Sequence, residues 1–78
     1  MKHSDELMAR LDAEESEVSK RLRSLELFMG TGAYAQLPGK HKALLSQQHR
    51  HMRNYWHILC QRITLMKGEN EKFQQMPM

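Results

Sequence analysis

The chain has one cysteine, two prolines and few aromatic residues among its 78 positions. The lone Cys60 excludes an intrachain disulfide, and no Cys/His cluster has zinc-finger spacing. A chain this short buries a smaller share of its surface than a large domain, so it needs a further stabilising device. With disulfide and metal set aside, oligomerisation is the device that remains. No apolar run reaches the length of a membrane span. The opening MKHSDELMAR lacks the apolar stretch of a secretory signal. These absences predict a single domain over 1–78, soluble and cytoplasmic, with no membrane partner.

Acid is missing from one half. Between Gly30 and Lys67 stand six bases (Lys40, Lys42, Arg50, Arg53, Arg62, Lys67) and four histidines, with no Asp or Glu. From Asp5 to Met29 there are seven acids against four bases. A one-signed segment sets up a field that attracts anions. It serves equally to face the acidic first segment, within one chain or between chains.

What is present reads as helix. Ser4 suits an N-cap, and Asp5 and Glu6 suit the positive end of a helix dipole. Met8, Leu11, Val18, Leu22, Leu25 and Met29 form a heptad seam with Glu15 as its gap. The predicted first helix covers about 4–29, with Gly30 and Gly32 stopping it as a left-handed cap would. A connection over 30–38 follows, with one short turn at Ala33–Leu37 that points Tyr34 and Leu37 inward. Pro38 suits the first turn of a second helix, expected over about 38–67 with Gly68 behind it as a stop. Residues 68–78 read as a flexible tail.

The 100° advance of a helix assigns the faces of the second one. Leu45, His49, Met52, Trp56, Leu59, Ile63 and Met66 form its core-facing seam. One flank carries Leu44, Gln48, His51, Tyr55, Ile58 and Arg62, mixing apolar and hydrogen-bonding groups. The other carries Lys42, Arg50, Arg53 and His57. The apolar surface is wider than one partner helix covers. An all-α fold follows: an antiparallel helical hairpin that assembles into a homo-oligomeric bundle.

The chemistry narrows the function. No two histidines of the second helix are three or four residues apart, so no metal site is expected. His57 and Cys60 lie three apart, but without an orienting carboxylate or glycine elbow, and Cys60 reads as a structural thiol. No catalytic residue, enzyme activity or cofactor is expected. A nucleotide needs an aromatic or apolar surface for its base and Arg or other donors for its phosphates. His41, Gln48, Tyr55 and Arg62 fall at seven-residue steps, in one line down the helix. Candidate ligand-binding residues are therefore Gln48, His51, Tyr55 and Arg62, with Arg53 and Lys42 adding positive potential. The alternative is that Tyr55 and Arg62 pack and pair across an oligomer interface.

The ending LRSLELFMG, the turn YAQL and the second helix HKALLSQQHRHMRNYWHILCQRI resemble a family of small phage proteins named after a crAss-like bacteriophage representative. The matching positions are Leu25, Phe28, Leu37, Leu44, Leu45, Gln48, Met52, Tyr55, Leu59, Arg62 and Ile63, within residues 5–66. Gln48, Tyr55 and Arg62 are the informative members, because packing alone does not ask for them. The resemblance implies a phage accessory hairpin working in the host cytoplasm. By analogy with phage sponges of other families, its expected role is counter-defence: sequestering an anionic nucleotide immune signal at inter-subunit grooves. The rival is an oligomeric module that blocks a host protein or serves phage assembly. Nucleic-acid binding ranks third.

Overall fold

The computed structural model describes the backbone of residues 3–75 and the side chains of residues 3–71. Helix α1 spans Asp5–Met29, the single turn α2 spans Gly32–Ala35, and α3 spans Gly39–Gln75. Among the described residues there is no strand. Helices α1 and α3 pack together as an antiparallel hairpin 63 Å long and 15 Å across. No described helix is long and apolar enough to cross a membrane.

Helix α1 starts where its sequence says it should. The Ser4 hydroxyl accepts the Leu7 backbone N–H at 3.1 Å, a cap that typically contributes about 1 kcal/mol. Its end departs from expectation. Gly30 has φ −89° and ψ 3°, so no left-handed cap is formed. Thr31 removes the need for one. Its hydroxyl donates to the Phe28 carbonyl at 2.6 Å and accepts the Tyr34 N–H at 3.3 Å. One side chain thus closes α1 and opens α2. Tyr34 meets Phe28 edge to face, with ring centres 6.1 Å apart, and its hydroxyl reaches the Lys42 carbonyl and the Ser46 hydroxyl.

Pro38 lies just outside α3, and its carbonyl accepts the N–H groups of His41 and Lys42. The helix does not stop at Gly68; it continues to Gln75. Gly68 costs a helix only about 1 kcal/mol relative to alanine, and a tertiary contact just beyond it favours continuation. Asn70 accepts the His3 N–H at 2.7 Å and returns its own side-chain N–H to the His3 carbonyl at 3.3 Å. His3 also pairs with Glu69 at 2.9 Å. The flexible tail is therefore wrong for 68–75, and its remainder, 76–78, lies outside the described residues.

The core is the seam read from the heptads. Leu11, Leu22 and Leu59 are buried, and the other seam residues of both helices are half-buried. Each fully buried leucine is worth roughly 1.5–3 kcal/mol, so the inter-helix core is thin. The gap in the α1 seam has a use: Glu15 accepts the indole N–H of Trp56 at 3.1 Å. His49 sits in the seam and pairs with Glu26 at 3.2 Å.

Candidate functional site

A groove of about 580 Å³ runs along one side of the hairpin. Helix α1 contributes Val18, Lys20, Arg21, Ser24 and Leu25, and α3 contributes Gln48, Met52 and Tyr55. Its size falls within the roughly 300–1,000 Å³ of small-molecule sites, although this groove is open along its length. The seam residues Val18, Leu25 and Met52 give an apolar floor. Lys20 and Arg21 provide positive charge, and Ser24, Gln48 and Tyr55 provide hydrogen-bonding groups. The side-chain amide of Gln48 lies 3.8 Å from the Met52 sulfur, which orients it along the floor.

Tyr55 stands at the junction of this groove and the next stretch of the hairpin. It is 41% exposed. Its hydroxyl donates to the Glu14 carboxylate of α1. That bond raises the Tyr55 pKa above the ordinary 10.0, because ionisation would break it; partial burial and the Glu14 charge push the same way, and the Arg62 charge pulls it back. Arg62 is exposed one heptad along α3 and does not line the groove.

The other sequence-predicted residues are spread out. Gln48 and Tyr55 share the groove with each other. Arg53 faces the opposite side, in a smaller hollow of about 250 Å³ with Ser19, Leu22, Arg23, Glu26 and Trp56. Lys42 donates to the Ala35 carbonyl at 3.2 Å, which fastens the turn to α3. His51 is exposed on the groove-side flank. The flank positions Leu44 and Ile58 are 64% and 51% exposed, and Leu65, two heptads beyond His51, is 64% exposed.

Sequence reasoning missed Lys20, Arg21 and Ser24. They belong to the acidic helix, whose overall charge hid a local basic pair. The available signal was positional: Arg21 and Ser24 precede the seam residues Leu22 and Leu25 by one, which puts them on a single side of α1. Arg21 also holds Glu17 at 3.2 Å along the helix, an exposed i,i+4 pair worth a few tenths of a kcal/mol. Among the described residues, no three His, Cys, Asp or Glu side chains gather as a metal site.

Fold and groove define a class: a small helical hairpin that presents an apolar-floored, cation-rimmed groove to solvent. The chain belongs to the Sequestin family, whose model matches residues 5–65, the whole of α1 and the turn and most of α3. The family name suggests a sequestering role. No curated protein and no solved structure matches the chain.

Proposed function

We propose that the chain is a non-enzymatic binding protein that sequesters an anionic nucleotide signal. Two or more copies build the binding site, and the role is that of a phage accessory protein acting against host defence. The groove carries this reading: Tyr55, Gln48, Lys20 and Arg21 stand around an apolar floor at a size suited to a nucleotide. The Tyr55 ring stacks on a base while its hydroxyl faces phosphate, Gln48 bonds a base or ribose edge, and Arg62 with Lys20 and Arg21 meets phosphate. Sequestering without turnover agrees with the family name. The phage setting rests on the sequence resemblance alone.

Self-association closes the groove in this reading. Leu44 and Ile58 lie on the groove-side flank and give a second copy an apolar surface to cover.

That same stripe favours a second reading, in which the covering partner is a host protein and the groove is part of a protein interface. One experiment decides between them. The purified chain is sized in solution and melted with cyclic di- and trinucleotides and ADP-ribose. A sequestering protein is oligomeric, gains melting temperature in proportion to the logarithm of ligand above its Kd, and releases the nucleotide intact on denaturation. No shift with any of these ligands refutes sequestration of a nucleotide.

A further inference from the structure

Two adjacent carboxylates of α1 bond two adjacent aromatic residues of α3, and they do so in different settings. Glu15 accepts from Trp56 in the half-buried seam. Glu14 accepts from Tyr55 at the exposed edge of the groove. The Glu15 bond has an evident packing role, since it satisfies a polar group at the helix interface. The Glu14 bond has none of that kind, because both partners are open to water and neither would be left dry without it.

A carboxylate and a phosphate oxygen make the same demands: an acceptor with negative charge, met by O–H donors and by cations. We propose that Glu14 is an internal competitor for the anionic ligand, occupying the Tyr55 hydroxyl until a phosphate displaces it. This rests on the reading of the groove as a nucleotide site. It adds a selectivity device to that site. A ligand with a single anionic group exchanges one negative partner of Tyr55 for another and gains little. A ligand whose second phosphate also reaches Lys20 and Arg21 gains contacts that Glu14 does not supply. The displaced carboxylate swings to water, which costs little for an exposed side chain.

The test compares three forms of the full chain. Wild type, Glu14→Gln and Glu15→Gln are titrated with cyclic di-AMP, cyclic tri-AMP and ADP-ribose by calorimetry, with melting curves taken alongside. Glu14→Gln keeps a side-chain oxygen that accepts from Tyr55 and removes the charge. It is expected to bind the recognised nucleotide about tenfold more tightly, the difference between a charge-assisted and a neutral hydrogen bond. Glu15→Gln makes the same change in net charge one residue away and is expected to bind as wild type does.

Equal tightening in both variants overturns the proposal, because it reduces the effect to net charge. Unchanged or weaker binding in Glu14→Gln also overturns it while leaving the nucleotide site standing. If no form binds any of the three ligands, the nucleotide site itself falls, and the proposal falls with it. Loss of melting temperature in Glu14→Gln is read separately from affinity, and binding by the folded fraction still decides the matter.

Discussion

Trp56 donates its indole N–H to Glu15 across the interface of the two long helices, at 3.1 Å. Glu15 interrupts an otherwise apolar seam, so the pair specifies which turn of α1 meets which turn of α3. Glu15→Ala leaves a half-buried N–H without its acceptor. The expected cost is about 1–2 kcal/mol, or a fall in Tm of roughly 4–8 °C for each kcal/mol. A double-mutant cycle with Trp56→Phe measures the coupling by chemical denaturation and is expected to give about 1 kcal/mol.

The Tyr55 hydroxyl titrates above 10.0 because Glu14 holds its proton. The folded-state pKa is raised, so the stability it contributes is fully present below the unfolded value and is lost as pH rises through the folded one. Ultraviolet titration in a Tyr34→Phe background, which leaves Tyr55 as the sole phenol, should show ionisation beginning above that of free tyrosine. Glu14→Gln should move it back toward 10.0. Coincident titration curves for the two forms would refute the bond.

Gly68 lies inside α3 rather than behind it, and a Cβ placed there meets nothing within 4 Å. Gly68→Ala should therefore stabilise the chain by about 0.5–1 kcal/mol. Thermal melting and far-ultraviolet circular dichroism check it. A loss of stability would show that the helix ends at the glycine after all.

Ile58 is 51% exposed on the flank that the proposed second copy covers. Ile58→Glu should leave the inter-helix core intact and dissociate the proposed oligomer. In light scattering the mass should drop toward 9.2 kDa, and the melting temperature should lose its dependence on protein concentration. An unchanged mass would place any self-association on another face.

Much of this was legible in the residues. Heptad spacing picked out the seam of each helix, and the seam residues are the ones that the fold buries or half-buries. Periodicity works here because one helix face must leave water, whatever the details. The ends of the helices were less legible. Gly30 and Gly68 resemble stop signals, but Thr31 and Asn70 settle those places through bonds formed in three dimensions. The groove was half legible. Angles along α3 put Gln48 and Tyr55 on one side and Arg53 on the other, in agreement with the structure. They say nothing of the register of α1 against α3. The meeting of Glu14 with Tyr55 depends on that register, as does the approach of Lys20 and Arg21 to the same groove.

The turn at Thr31 has a consequence for how the chain comes together. With α1, α2 and α3 joined by local hydrogen bonds, inter-helix contacts span more sequence the farther they lie from the turn. Glu26 and His49 are nearest to it, Glu15 and Trp56 are separated by 41 residues, and His3 and Asn70 by 67. Each contact shortens the loop that the next must close, so assembly proceeds like a zip from the turn outward. On these separations the end held by His3 and Asn70 is expected to close last and open first, with the middle of the hairpin, where Tyr55 sits, staying shut.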